Sequence, residues 1–383
     1  MGTPRRLDEN RGKGGRPHGE DGVASGDAER TADERALGLR VRPLRDLLQT
    51  GAARSAGARR TRAPYGPRVA HEHHHSHDGG RIAEPADAGA HAHGHHHHQA
   101  PGDRDWAEFG ARLQLEGDVT MPIISEAIAR IAAAAKAADL TVDRILDLGS
   151  GPGVAAVALA AAFPGATAVA VDASAPLLEL VRDRAVANGV ADRVHTAVAD
   201  LEQPLDALGA ADVVWASLVL HHIASPADVL RQIRALLWPG GLLAIVEFGA
   251  TPHGTLPAGF DVGDLGDAGF VERHAAAVVA AITEHLPPGA MTLDWPSLLT
   301  DAGFEMVDQG ELTLSVAAPL EERARRYVLQ GLRMSQPMVA ERLAAADVAA
   351  LAVLASDDDP RSVLHREDLS VHLSRLFLLG RRS

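Results

Sequence analysis

A glycine run at the end of an apolar strand limits this fold more than any other feature. Arg144-Ile-Leu-Asp-Leu148 has strand character and breaks directly into Gly149-Ser-Gly151-Pro-Gly153. Such a turn needs glycine because the backbone bends tightly and a ligand must approach with no Cβ in the way. Strand-like and helix-like segments then alternate. The pattern predicts strands at 144–148, 167–171, 194–198, 212–216 and 242–248, with helices at 153–162, 175–188 and 226–237. Ala168–Val171 and Leu242–Val246 are apolar at every position, as parallel strands covered on both faces should be. Strand, helix and strand follow at spacings that allow right-handed crossovers, so a doubly wound, mostly parallel sheet is expected.

The rhythm changes after Gly249. A Gly/Pro/Asp-rich loop, 250–267, leads to a helix at 268–286, a short helix at 295–302 and a strand at 305–317. A mostly helical excursion from 319 to about 357 follows, and 371–379 returns to strand character. These last two strands bring the expected sheet to seven. The expected core covers about 140–250, 295–317 and 369–380, with cap segments at about 251–294 and 318–368 over the ligand edge. Ahead of the first strand, Trp106 to Ile131 repeats apolar residues at helical spacing, and Thr120-Met-Pro122 marks a break between two helices.

Residues 1–100 read as a separate, disordered tail, because they hold no sustained apolar period and cannot offset their ordering entropy. The folded domain is expected over 101–383. Two histidine clusters lie in the tail, at 71–77 and 91–98. Imidazole binds divalent metals, but with no fixed geometry the expectation is incidental affinity, and no metal site is assigned.

Composition removes several classes. The chain has no cysteine, which excludes disulfides and thiolate chemistry. Its net charge of −14 argues against a general nucleic-acid surface. No apolar run reaches the roughly 18–20 residues that span a bilayer, and neither arginine pair near the start precedes an apolar segment. The expectation is a cytoplasmic protein without nucleic-acid or membrane partners.

Three glycines at alternate positions suit either a dinucleotide or an adenosyl ligand. The dinucleotide fingerprint needs glycine at 154, where this chain has Val154. Asp172 ends the second strand about 20 residues past the glycines, where a carboxylate can accept ribose hydroxyls. Taken alone, it also fits an ordinary helix cap. Val198-Ala-Asp200-Leu201 follows the third strand, Asp212 to Ile223 covers the fourth strand and its loop, and Leu236-Leu-Trp-Pro-Gly-Gly241 precedes the fifth. In order and spacing these pieces resemble the class I S-adenosylmethionine-dependent methyltransferases of the small-molecule branch, over about residues 104–250. The resemblance implies a Rossmann-like fold and S-adenosylmethionine as cofactor. It assigns Asp147, Gly149, Ser150, Gly151, Gly153, Asp172, Ala173, Asp200, Leu201 and Ser217 to binding it.

The loop after strand four reads Leu220-His221-His222-Ile223. It resembles the loop of sugar and natural-product O-methyltransferases, in which the first histidine is a base supported by a carboxylate ending strand five. Here those positions are His221 and Glu247, with Glu one methylene longer than the Asp expected. The resemblance implies methyl transfer to a small acceptor, with a hydroxyl favoured. A cofactor-binding but inactive or regulatory protein would keep Gly149, Asp172 and Asp200 without using His221. A nicotinamide-dependent reductase is disfavoured by Val154 and by the lack of a Tyr-x-x-x-Lys pair.

Overall fold

The structure, a computed structural model describing residues 105–249 and 256–383, is organised on seven strands. They are β1 (Arg144–Leu148), β2 (Thr167–Asp172), β3 (Val194–Val198), β4 (Ala211–Ser217), β5 (Leu237–Phe248), β6 (Phe304–Val316) and β7 (Val371–Arg382). The order across the sheet is β3-β2-β1-β4-β5-β7-β6. Strands β1 to β5 pair in parallel, and β7 runs antiparallel to both β5 and β6. Six strands therefore share one direction, which matches the expected mostly parallel sheet. The exception, β7, leaves the sheet mixed. The histidine-rich segment expected to be a tail, and with it any metal affinity there, lies outside the described residues, as does 250–255.

The strand–helix alternation follows the sequence pattern. Helices α1 (Trp106–Val119) and α2 (Met121–Ala137) meet at Thr120, with Pro122 in the first turn of α2. That placement suits proline, whose missing N–H is one of the unbonded donors of a helix start. Asp105 caps α1 by accepting from the N–H groups of Ala107 and Glu108. Between strands lie α3 (Val154–Ala162), α4 (Ala175–Ala187), α5 (Pro226–Leu236) and α7 (Trp295–Asp301), with α6 (Phe270–His285) ahead of α7. Almost every residue of α3 is buried, consistent with its run of Ala, Val and Leu. Strand β5 begins earlier than its apolar run suggested, because Leu237 pairs with Ala211 before Pro239-Gly240-Gly241 breaks the register. A proline at such an irregularity forfeits no ladder bond.

One face of the sheet packs Leu146, Leu148, Val214, Ala216, Leu243 and Ile245 against Leu230, Ile233 and Leu299. The alternate residues of the same strands, Ile145, Asp147, Val213, Trp215 and Ala244, project to the other face, as a period of two requires. After β6, helices α8 (Glu322–Val339) and α9 (Ala345–Leu354) fold back with α6. Arg273 on α6 grips Asp347 of α9 through Nε and Nη2 at 2.8 and 2.7 Å, and His274 Nε2 lies 2.9 Å from Ser335 Oγ of α8. Helix α8 also packs on α1, with Arg112 Nη1 3.2 Å from Met334 Sδ. These contacts hold α8 against α1, α6 and α9.

Candidate active site

Strands β1, β2, β4 and β5 all end at the same edge, the position where open α/β sheets bind ligands. The turn after β1 is shaped by its glycines. Gly149, Gly151 and Gly153 all have positive φ, at 66°, 52° and 76°. A Cβ at Gly149 would come within 2.3 Å of Val219 Cγ2, and one at Gly153 within 2.7 Å of Val181 Cγ1. Gly151 differs: its Cβ would meet only Leu113 Cδ1, at 3.7 Å. The first and last glycines thus satisfy packing, whereas a Cβ at the middle one would meet only ordinary van der Waals contact.

Asp172 fastens this turn to the next strand. Its Oδ2 accepts from the Gly151 N–H and its Oδ1 from the Ser174 N–H, both at 2.8 Å. Burial raises the carboxyl above the usual range, opposed by these N–H bonds. The cap of α4 is Ser174, whose Oγ accepts from Leu177 N, so Asp172 is not that cap. Asp147 lies beneath the turn, buried, with Oδ2 lacking any partner. Burial pushes its carboxyl up to about 7; the Ala156 N–H opposes this and the Asp172 charge adds to it. Ser150 Oγ is likewise buried without a partner. Orphaned buried polar atoms are costly, and a ligand that pairs with them removes the cost.

Next along the edge, Ala173 and Asp200 are exposed while Leu201 is buried, and Asp200 Oδ1 accepts from Glu202 N at 2.9 Å. The fold brings the glycine turn and Asp172 into direct contact, and it places Asp200 and Leu201 after the neighbouring strand. Ser217 ends β4 on the other side. It lines a small cleft, open to solvent, with Glu116 and Ile124 from the N-terminal helices, Trp215 from β4, Leu218 just after β4, and Arg375 from β7. The chemistry of these groups fits an adenosyl amino acid: a carboxylate with lone pairs to spare beside a glycine turn, and buried polar atoms of Asp147 and Ser150 that a polar ligand could pair.

His221 and Glu247 form the best-defined pair at this edge. His221 lies in a short 3-10 turn, Leu220–His222, directly after β4. Its Nδ1 is 2.7 Å from Glu247 Oε2, and the other oxygen of Glu247 accepts from the Leu220 N–H at 3.0 Å. Both side chains are almost wholly buried. The extra methylene of Glu is therefore accommodated with both carboxylate oxygens bonded. Rings flank the imidazole: Phe248 at 4.3 Å and His222 at 4.1 Å between centroids.

Sequence reasoning passed over three features of this edge. Leu218 has φ +52°, uncommon for a leucine, and its N–H is tied to Val246 O at 2.8 Å. Trp215 Nε1 is buried without a partner. Arg375 is buried in the middle of a strand that otherwise reads Val371-His-Leu-Ser-Arg-Leu-Phe-Leu-Leu379. An arginine in an apolar strand was the available signal for the last of these. Among the described residues no group of His, Asp or Glu is arranged to hold a metal ion, and no helix is long and apolar enough to cross a membrane.

The family model described as "Methyltransferase domain" matches residues 146–245, from β1 into β5. A demethylmenaquinone methyltransferase of Clavibacter sepedonicus is 30% identical over 201 residues, covering 49% of this chain and 76% of that protein. A 27-O-demethylrifamycin SV methyltransferase of Amycolatopsis mediterranei is 30% identical over 191 residues, 50% of this chain and 64% of its own length. The methyltransferase GfsG of Streptomyces halstedii is 31% identical over 165 residues, 43% of this chain and 54% of its own length. The chain thus spans between about half and three quarters of these relatives.

Proposed function

Since this chain belongs to the class I S-adenosylmethionine-dependent methyltransferases, we propose that it methylates a hydroxyl of a small-molecule acceptor, with His221 as the base. The observation that carries the proposal is the buried His221–Glu247 bond at the carboxyl edge. The name of the rifamycin relative places its methyl group on an oxygen, and other relatives also carry small-molecule names. The rifamycin name favours a hydroxyl, and the demethylmenaquinone name supports a small acceptor without choosing the atom.

When bound, S-adenosylmethionine supplies an electrophilic methyl group, whose bond to sulfur breaks as the bond to the acceptor oxygen forms. In the proposed reaction the glycine turn, Asp147, Ser150 and Asp172 would hold the donor. Asp172 keeps lone pairs for ribose hydroxyls beyond its two backbone bonds. Asp200, Leu201, Ala173 and Ser217 complete the binding set along the same edge.

In this reading His221 donates its Nδ1–H to Glu247, which leaves the lone pair on Nε2. A neutral imidazole in that tautomer can take the acceptor's hydroxyl proton as the new C–O bond forms. The carboxylate is itself fixed by the Leu220 N–H, so the ring does not have to be ordered at the moment of reaction. Phe248 and the buried β4 and β5 ends exclude water that would compete as a nucleophile. The role is positional as much as acid–base, because aligning oxygen, methyl and sulfur supplies much of the acceleration.

The test pairs calorimetry with S-adenosylhomocysteine and transfer of labelled methyl into a small-metabolite extract. His221→Gln should keep S-adenosylhomocysteine binding and lose at least about 100-fold in transfer. Near-full turnover in that variant would remove His221 as base. Label found on nitrogen or carbon in the product would remove the hydroxyl.

A further inference from the structure

Arg375 is a buried cation that the methyl-transfer chemistry leaves unused. It is 4% exposed, and among the described residues it forms no ion pair. Among the described residues its side chain makes one hydrogen bond, from Nη1 to the carbonyl of Ser374, its own neighbour, at 2.9 Å. A guanidinium has five N–H donors, and burying it without a counter-charge is costly. The side chain lines the cleft under α1 and α2. With Nη1 engaged, the Nε and Nη2 edge remains, and two parallel N–H donors on one edge match the two oxygens of a carboxylate.

The position of Arg375 decides which ligand it serves. In the sheet order the glycine turn and Asp172 follow β1 and β2, whereas Arg375 lies on β7 beyond β4 and β5. Its register partner on β5 is Phe248, whose ring packs on His221, and Glu247 is paired with the next residue, Leu376. Arg375 therefore sits on the half of the edge that holds the base. Surrounding polar groups support a negative ligand. Tyr327 on α8 has its phenol pushed up to about 12 by burial, with Glu116 adding and Arg375 and Arg112 opposing, so it stays a neutral donor. Trp215 adds an indole N–H with no partner.

We propose that Arg375 anchors a carboxylate of the acceptor, which is accordingly a small hydroxycarboxylic acid. The carboxylate would take the free edge of the guanidinium, and the hydroxyl would be presented to His221. This rests on the proposed methylation of a hydroxyl, but it can fail independently.

The test uses the full chain loaded with S-adenosylhomocysteine and a panel of small hydroxycarboxylates, each beside its methyl ester. Calorimetry should show binding of at least one acid at least about tenfold tighter than its ester. Arg375→Gln should remove that difference while leaving the esters and S-adenosylhomocysteine unchanged, and Arg375→Lys should restore part of it. Thermal melting of each variant identifies any that fail to fold, and for those the acid-to-ester preference of the wild-type protein decides. Acids that bind no better than esters would overturn the proposal. So would equal weakening of acids and esters in a folded Arg375→Gln. Loss of S-adenosylhomocysteine affinity in Arg375→Gln would also overturn it, by assigning the cation to the donor's own carboxylate. Acid-selective binding with no labelled methyl on oxygen would instead strike the hydroxyl reading alone.

Discussion

At the amino-terminal edge of the sheet, buried polar groups are matched to one another. Asp212, fully buried at the start of β4, accepts from the N–H groups of Asp143 and Arg144 at 2.9 and 3.0 Å. The Arg144 guanidinium reaches the carbonyls of Leu208, Gly209 and Ala210. At the carboxyl edge of the same strands, Asp147 Oδ2, Ser150 Oγ and Trp215 Nε1 are buried with no partner. Asp212 and Asp147 are both buried carboxylates, so burial alone does not explain the difference. The first edge is complete within the chain, and the second is built to be completed by what binds there.

That contrast breaks most clearly at Glu247. Glu247→Gln keeps an oxygen for the Leu220 N–H but turns an amide toward His221, which favours the tautomer with the proton on Nε2. Turnover should fall about 10²–10⁴-fold with S-adenosylhomocysteine affinity and folding stability nearly unchanged. Equal turnover measured in initial-rate assays would dissolve the distinction at the carboxyl edge. Asp212→Ala is the counterpart at the other edge. It strands two backbone N–H groups and leaves Arg144 without its nearest counter-charge, so denaturant unfolding should show a loss of about 2–3 kcal/mol. Turnover per folded molecule should stay within about twofold. A large catalytic defect without a stability defect would show that the amino edge is not merely structural.

Asp147 sharpens the comparison through pH. Its carboxyl titrates at about 7 in the folded chain against 3.8 ordinarily, chiefly from burial. Between those values the native state holds a proton that the unfolded chain has released. The protein without cofactor should therefore lose stability as pH rises from about 4 through about 7. Asp147→Asn removes the titration. At pH 8 it should be more stable than the parent by something on the order of 2 kcal/mol, with little difference at pH 4. Its affinity for S-adenosylhomocysteine should fall. Melting curves across that range would contradict the assignment if the two proteins ran parallel.

The sequence made the sheet legible because its signals are local and repeated. Ala168–Val171 and Leu242–Val246 could only be strands covered on both faces, and the glycine turn at 149–153 had a steric reason visible in the letters. His221 and Glu247 were paired through resemblance alone, since 26 residues and a crossover helix separate them and no spacing rule joins their side chains. Arg375 escaped for a related reason. It lies far along the chain from His221, and only the antiparallel register of β7 on β5 sets it beside Phe248. Orphaned atoms are invisible to a sequence altogether, because Trp215 looks like core until its Nε1 is found without an acceptor.

The smallest effect separates the two edges by backbone strain. Only two described residues other than glycine have positive φ, Asp139 at 50° and Leu218 at 52°. Asp139 follows α2 on the amino side, where its N–H is bonded to Lys136 O. A left-handed residue commonly ends a helix, and aspartate tolerates the conformation. Leu218 has neither excuse: it sits at the end of β4, and an ordinary L-residue there costs about 1–2 kcal/mol. Glycine would relieve that strain but return about 0.5–1 kcal/mol through the greater freedom of the unfolded chain. Leu218→Gly also gives up the packing of a half-buried side chain, so its stability in denaturant unfolding should change by no more than about 0.5 kcal/mol, and exposed Asp139→Gly should gain a few tenths. Strain at a ligand edge persists when the conformation serves the site. Leu218→Gly should accordingly lose severalfold in kcat/KM while Asp139→Gly keeps it. If the two variants behave alike in both assays, the Leu218 backbone is an accident of packing, and the difference between the edges rests on their unpaired polar atoms alone.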